Sequence, residues 1–307
     1  MAESIIIFGP TASGKSALGI HLAKAMHGEV INADARQVYA GMQVGTGAVT
    51  KEEMQGIPHH LLGTRPPENP YNAGVFLEDA KRIEADLKGR GILPIYVGGT
   101  GLYVQSLVEG LSVQHPADLT LRTMLEKRLQ TEGNHAMWIE LQKRDPDAAE
   151  QIHENNSRYV LRALELSMQS QEKQEYEIDT QEPSSHYRVL GISWDPTRLR
   201  ERITKRHGEI FSGTRFDEEV RALMDRSISE EVWKTIGYLQ MRDHILGNIT
   251  REEALEKTIF AAFAYAKRQR TWLRRMQQRM HIQIVEGEPL TDQTDVLALL
   301  DKRQSLT

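Results

Sequence analysis

A chain of 307 residues with 38 Lys and Arg against 43 Asp and Glu, a net charge of −5, carries no bulk charge that advertises a nucleic-acid partner. Any phosphate recognition must come from local clusters. Cysteine is absent, which excludes a disulfide framework, a thiol nucleophile and a cysteine-based zinc site. No apolar run reaches membrane-spanning length, and the N-terminus reads as a core strand and not a cleavable signal, so a cytoplasmic protein with no membrane association is expected.

The length admits one large domain or two smaller ones. Ile5 to Phe8 predicts a strand, followed at once by Gly9-Pro10-Thr11-Ala12-Ser13-Gly14-Lys15-Ser16 and a helix over Ser16 to Met26. A G-x-x-x-x-G-K-S segment between a strand and a helix is the P-loop pattern in its diagnostic context. The backbone N–H groups and the helix N-terminus make a cradle for anionic oxygens, to which Lys15 adds a charge. The Ser16 hydroxyl can ligate Mg²⁺. The loop alone does not distinguish ATP from a pyrophosphate group, which presents the same oxygens.

Glu29 to Asn32 predicts a second strand ending at Asp34, and Leu93 to Val97 a third, closed by Gly98-Gly99-Thr100-Gly101 at the start of another helix. Between them, Val75 to Leu87 carries apolar residues at 76, 77, 80, 83 and 87, a helical spacing. This is a parallel α/β pattern, with ligands expected at the strand C-terminal ends. From about Pro116 the pattern turns wholly helical: Asp118 to Gln130, His135 to Lys143, a start at Asp145-Pro146, and Asn156 to Met168. After the polar stretch Gln169 to Ser185, Tyr187 to Trp194 alternates like a strand returning to the sheet. Helices follow over Pro196 to Phe211, Asp217 to Asp225, Val232 to Leu246 and Arg251 to about Met280, then a short strand at His281 to Val285. The expected organisation is an α/β P-loop core formed by 1–115 and 186–307, with a helical insertion at 116–185.

Several residues suit chemistry at the sheet edge. Asp34 can ligate a metal or accept a proton from a nucleophile. Gln37 can read a base edge, and Thr100 can hydrogen-bond a phosphate oxygen or a reacting amine. The adjacent His59 and His60 favour a structural role, since neighbouring strand side chains point to opposite faces. Residues 267 to 279 include six basic positions among thirteen: Lys267, Arg268, Arg270, Arg274, Arg275 and Arg279. Lys267, Arg270 and Arg274 share one helical face, and Arg268, Trp272, Arg275 and Arg279 another. Basic residues interleaved with an aromatic suit an RNA backbone beside an unstacked base. Arg122, Arg158, Arg162, Arg202 and Arg206 are further candidates. Arg202 and Arg206 lie four apart on one predicted helix.

The P-loop, Asn32-Ala33-Asp34 with Gln37-Val38-Tyr39, Pro58-His59-His60-Leu61 and Gly98-Gly99-Thr100-Gly101-Leu102-Tyr103 together resemble the tRNA dimethylallyltransferases, also called tRNA isopentenyltransferases. Arg162-Ala163-Leu164-Glu165, Ile236-Gly237-Tyr238 and Tyr265-Ala266-Lys267-Arg268-Gln269 with Thr271-Trp272 complete the resemblance in family order, over about residues 5 to 275. It implies that N6 of the adenosine immediately 3′ of the anticodon attacks C1 of dimethylallyl diphosphate, with diphosphate leaving. Asp34 then matches the general base, Thr100 the hydroxyl that orients the amine, and Arg206 the diphosphate arginine. Thr11, Ala12, Ser13, Gly14, Lys15 and Ser16 would hold the diphosphate with Mg²⁺. Asp34, Ala35, Arg36, Gln37, Arg122, Arg158 and Arg162 would meet tRNA. So would Ile236, Gly237, Tyr238, Lys267, Arg268, Gln269, Arg270, Trp272 and Arg274. The helical insertion would grip the anticodon stem-loop. The eukaryotic relatives' C-terminal zinc finger has no counterpart here, which implies a bacterial-type enzyme, expected to act as a monomer.

The chain also departs from the family pattern. Ala35 stands where Ser is usual, Ala40 for Arg, Gln43 and Ala48 for Asp and Lys, Gly63 for Asp, Ser157 for Gln, and Phe263 for Arg. Three alternatives remain. A P-loop small-molecule kinase would bind ATP and needs no basic Trp-bearing helix. A noncatalytic tRNA-binding paralogue would bind tRNA without transfer. An isopentenyltransferase for free adenylates would have no use for the insertion.

Overall fold

The computed structural model describes residues 4–110, 118–169 and 186–287. The chain falls into two compact units, Met1–Gly110 with Gln181–Thr307, and Leu111–Thr180.

The first unit is built on a six-stranded sheet in which every pairing is parallel, in the order β3-β2-β4-β1-β5-β6. The strands are β1 Ser4–Phe8, β2 Gly28–Asn32, β3 His59–His60, β4 Leu93–Gly98, β5 Tyr187–Ser193 and β6 Ile282–Glu286. The expected return of the chain to the sheet after the polar stretch is present: β5 pairs with β1 from Ser4↔Tyr187 to Phe8↔Gly191. The short last strand pairs with β5. Beyond Gln169, the polar stretch at 169–185 lies outside the described residues.

Period-2 alternation divides the core between the two faces of the sheet. Ile5 and Ile7 pack with Leu18, Leu22, Leu199, Ile203, Ala262 and Ala266. Ile6 and Phe8 belong with Phe76, Tyr96, Tyr103, Val104 and Leu107. The covering helices are α1 Lys15–Met26, α3 Ala73–Gly89, α4 Gly101–Glu109, α8 Pro196–Ser212, α9 Arg215–Met224 and the long α12 Arg251–Gln277. Helix α3 starts at Asn72, whose side chain accepts from the Gly74 and Val75 N–H groups. Helix α12 starts with a capping box between Thr250 and Glu253. A short helix, α2 Lys51–Met54, has its own Thr50/Glu53 box. The one continuous helix expected over Val232 to Leu246 is instead two, α10 Glu230–Trp233 and α11 Tyr238–Ile245. Gly237, at φ 93°, breaks the run.

The second unit contains α5 Leu119–Arg144, α6 Pro146–Gln151 and α7 Ser157–Gln169. Gly133 is non-helical (φ 83°, ψ 167°) and divides α5 where the sequence predicts a break. Leu125, Met137, Leu141, Val160 and Leu164 form its core. Asp145 caps α6 through the Ala148 N–H, with Pro146 in the first turn.

Candidate active site

The register Phe8↔Gly98 and Asn32↔Val97 brings the ends of β1, β2 and β4 to one edge. The loops that follow them, 9–16, 33–37 and 98–101, therefore share it, as expected of ligand sites in open parallel sheets. At this edge the glycines of the Gly98–Gly101 run serve close approach of protein to protein. A β-carbon on Gly98 would lie 2.0 Å from the Ala33 carbonyl oxygen, one on Gly99 2.2 Å from Gln269 Nε2, and one on Gly101 2.6 Å from the Trp272 ring.

The P-loop presents Ala12 at φ 59° and Gly14 at φ 88°. The N–H groups of Ala12, Ser13 and Gly14 have no acceptor among the described residues. The Thr11 N–H, by contrast, donates to Gln269 Oε1 at 2.8 Å, so Thr11 is left with its hydroxyl for a ligand. Ser13 is fully buried and its hydroxyl has no partner, so its contribution to a ligand is its backbone. Two side chains, one just past the end of β5 and one on α8, brace the loop. Trp194 Nε1 donates to the Ser13 carbonyl at 3.1 Å. Arg202 donates through Nε to the Ala12 carbonyl at 2.9 Å while its guanidinium lies 4.5 Å from the Trp194 ring centroid.

Three charged groups are coupled here. Lys15 donates to the Pro10 carbonyl at 2.7 Å. Burial pushes its ammonium down to about 8, against the opposing pull of the Asp34 carboxylate, while Arg206 pushes the same way as burial. Burial also lowers the Arg206 guanidinium, opposed by Asp34 and Glu53. Beside it, burial and the Arg206 charge hold His207 down at about 4, so this imidazole is neutral at pH 7. Arg206 is fixed by the Thr46 carbonyl at 3.2 Å and by the Gly47 carbonyl. That carbonyl-bearing loop is in turn held by Glu219, which accepts from the Val44 and Gly45 N–H groups, each at 2.9 Å, and from the Tyr238 hydroxyl at 2.6 Å.

Asp34 is held by its own turn. Its Oδ1 accepts from the Arg36 N–H at 2.9 Å, and buried Asn32 donates to its carbonyl at 3.1 Å and to that of Leu61 at 2.9 Å. Oδ2 makes no hydrogen bond among the described residues. The Ala35 N–H donates to Thr100 Oγ1 at 3.0 Å, tying the Asp34 loop to the Thr100 loop. Tyr265 joins the Thr100 loop by donating to the Gly99 carbonyl at 3.3 Å.

Several expected RNA-facing residues have other occupations. Gln269 is buried, and its amide is used by Thr11 and by the Gly99 carbonyl at 2.9 Å. Tyr238 is fully buried and Gly237 is buried, so this motif supports the loop that carries Arg206. Ile236 is half-buried and packs on the core. Arg162 pairs with the buried Glu165 at 2.9 Å. Trp272 is half-buried over Gly101, and Arg36 pairs with Glu231 at 3.2 Å. Gln37 makes one long bond, 3.3 Å, to the Thr46 carbonyl. Lys267 and Arg274 are exposed and Arg270 half-exposed, and none has an ion-pair partner among the described residues. Arg268 is exposed and lies 5.7 Å over the Tyr265 ring. In the helical unit, Arg158 and Tyr159 are exposed, while Arg122 makes a 3.6 Å pair with Glu126.

Three of the departures from the family pattern make specific local contacts. Gln43 and Gly63 face one another: a β-carbon on Gly63 would lie 2.6 Å from Gln43 Nε2, which donates to the Tyr39 carbonyl at 2.8 Å. Phe263 lies 4.8 Å beneath the Arg200 guanidinium. His60 pairs with Glu29 at 2.6 Å and His59 Nδ1 lies 2.8 Å from the Ile57 carbonyl, which gives both a place in the sheet edge.

Sequence reasoning missed Trp194, Tyr265 and the bracing role of Arg202. Trp194 could have been found from its position, one residue past a strand parallel to β1. The partners of Arg202 and Tyr265 are set by tertiary packing and leave no local signal.

A family model described as IPP transferase matches residues 37–276. A tRNA dimethylallyltransferase of Bacillus anthracis is 38% identical over 291 residues, covering 94% of this chain and 92% of that protein. The full-length tRNA isopentenylpyrophosphate transferase of Bacillus halodurans is 33% identical, with a TM-score of 0.70 over 98% of this chain and 95% of that one. A eukaryotic dimethylallyltransferase solved acting on tRNA shares the fold, with a TM-score of 0.76 at 24% identity over 98% of this chain and 78% of that one. With the P-loop, the Asp34 turn and the Gly98–Gly101 loop gathered at one sheet edge, this chain belongs to the IPP transferase family.

Proposed function

We propose that the chain transfers the dimethylallyl group of dimethylallyl diphosphate to N6 of the adenosine immediately 3′ of the anticodon, in tRNAs that read U-starting codons. The supporting observation is the placement of a cationic, amide-lined loop and of the Asp34–Thr100 pair at one sheet edge. The loop suits a leaving group, and the pair suits an incoming amine.

The step balances simply. The N6 lone pair forms the bond to C1 of the dimethylallyl group, and the C1–O bond breaks with its electrons passing to diphosphate. The N6 proton passes to Asp34, whose Oδ2 makes no hydrogen bond among the described residues. Lys15, Arg206 and the open N–H groups of Ala12, Ser13 and Gly14 stabilise the charge that grows on the diphosphate. Thr100 orients the amine. An adenine amine is a weak nucleophile, so positioning and leaving-group stabilisation must carry most of the acceleration. Gln37 would read the extruded base.

Among the described residues no group of three or more His, Cys, Asp or Glu is arranged to hold a metal. The Ser16 hydroxyl at the start of α1 is a donor at the loop. That set suits Mg²⁺ held chiefly by diphosphate oxygens and water, where the ion would neutralise phosphate charge. For tRNA, the exposed Lys267 and Arg274, with Arg270, give one basic face on α12, exposed Arg268 lies beside it on the Tyr265 side, and the helical unit offers Arg122 and Arg158 beside Tyr159. No helix among the described residues is long and apolar enough to cross a membrane. We place the protein in the cytoplasm, acting as a monomer.

The test is incubation with dimethylallyl diphosphate, Mg²⁺ and unmodified tRNA, followed by nucleoside analysis. N6-dimethylallyladenosine that disappears with Asp34→Ala supports the assignment. No transfer beside an active control enzyme contradicts it, and phosphoryl transfer from ATP would indicate the kinase.

A further inference from the structure

Helix α12 presents two different faces. One carries the exposed Lys267 and Arg274 with the half-exposed Arg270. The other carries Tyr265, Gln269 and Trp272, spaced by about one turn each, and all three meet the Gly98–Gly101 loop. Gln269 differs from its neighbours because it also reaches the P-loop. Its Oε1 accepts from the Thr11 N–H at 2.8 Å while its Nε2 donates to the Gly99 carbonyl at 2.9 Å. It is 3% exposed, so neither bond competes with water. A single amide thus spans the loop that would hold the leaving group and the loop that carries Thr100. The Thr100 loop is fixed from its other side, where the Ala35 N–H donates to Thr100 Oγ1.

We infer that Gln269 is a positioning residue, which sets the separation between the diphosphate cradle and the amine-orienting Thr100 by bridging Thr11 and Gly99. This rests on the transfer reaction proposed above and goes beyond it. The amide touches no reacting atom; it acts through the two loops. Only a side chain with one acceptor and one donor on a planar end, two methylenes from the backbone, makes both bonds. Asn would be a methylene short, Met makes neither bond, and an ionised Glu keeps only the acceptor.

The test compares wild type with Gln269→Met and Gln269→Glu. Single-turnover transfer from dimethylallyl diphosphate to a stem-loop RNA is expected to slow by about 10- to 100-fold in both variants, at full amplitude and with RNA affinity within about twofold. Loss of amplitude at an unchanged rate constant would mean a merely structural residue and overturn the inference. So would a wild-type rate in Gln269→Met. Amide exchange at Thr11 provides a readout without turnover: it is expected to accelerate at least about tenfold in Gln269→Met and to stay protected in Gln269→Glu. Unchanged exchange in Gln269→Met would remove the bridge whatever the activity. A wild-type protein that transfers nothing, yet shows the exchange pattern, would overturn the proposed reaction and leave the bridge standing.

Discussion

Replacing Arg202 by Met removes the brace on the Ala12 carbonyl while keeping an unbranched side chain of similar reach. Two interactions are lost: the 2.9 Å bond from Nε to that carbonyl and the guanidinium stacked 4.5 Å from the Trp194 centroid. A hydrogen bond from a charged donor contributes about 1.5–3 kcal/mol. That corresponds to a shift of about 10- to 150-fold in the balance between braced and unbraced loop. Ala12 sits at φ 59°, a conformation that disfavours a non-glycine residue by about 1–2 kcal/mol, so the loop has an incentive to relax. The Trp194–Ser13 and Gln269–Thr11 bonds remain, which limits the relaxation. Apparent affinity scales with the fraction of loop that is competent, so the dissociation constant for pyrophosphate with Mg²⁺ is expected to rise by about tenfold. Calorimetric titration reads it directly. Trp194→Phe keeps a ring under Arg202 and removes only the bond to the Ser13 carbonyl, so a rise of about 2- to 10-fold is expected. An unchanged constant in Arg202→Met would refute the bracing role. A loss far above 100-fold with Trp194→Phe silent would refute it differently, by making Arg202 a direct phosphate contact.

Gly98→Ala drives a β-carbon to 2.0 Å from the Ala33 carbonyl, a backbone atom that cannot rotate away. Overpacking of about 1–3 kcal/mol should lower the melting temperature by several degrees, and displacement of the Asp34 turn should reduce transfer further than stability alone explains. The ammonium of Lys15, pushed down to about 8 by burial, holds its proton below that pH and releases it above. Pyrophosphate affinity should therefore be flat near pH 7 and fall by up to about tenfold per pH unit above 8, with proton uptake on binding near pH 8.5 in buffers of different ionisation enthalpy. Lys267→Ala or Arg274→Ala should weaken tRNA binding and flatten its salt dependence while leaving pyrophosphate binding within about twofold. Equal losses of both would contradict the division between loop and helix.

The frame of the site was legible because its signals are local. A strand, a glycine-rich turn and a helix in succession locate the P-loop, and the strands expected at Ile5–Phe8 and Leu93–Val97 form, buried on both faces. Parallel topology then puts Asp34 and Thr100 at the same edge as Lys15. What was not legible depends on which face of an element is buried. Both faces of the basic run in α12 read as RNA-facing, yet one side of the same turns is committed to Gly99 and Gly101. The spacing of 265, 269 and 272 carries that information only once the glycines opposite are known. Tyr238 likewise reads as a contact residue, and its burial follows from Glu219 arriving from a separate helix. Where sequence places a helix across Val232 to Leu246, the positive φ of Gly237 decides for two.

The central claim is that the P-loop holds phosphates that leave and are never transferred. Dimethylallyl diphosphate labelled in both the dimethylallyl group and the phosphates tests this in one tube with tRNA and Mg²⁺. Dimethylallyl label is expected at N6 of adenosine in tRNA, with all the phosphorus label recovered as free pyrophosphate in equal amount. Phosphorus label in any acceptor, or pyrophosphate release without dimethylallyl label in the tRNA, would contradict it.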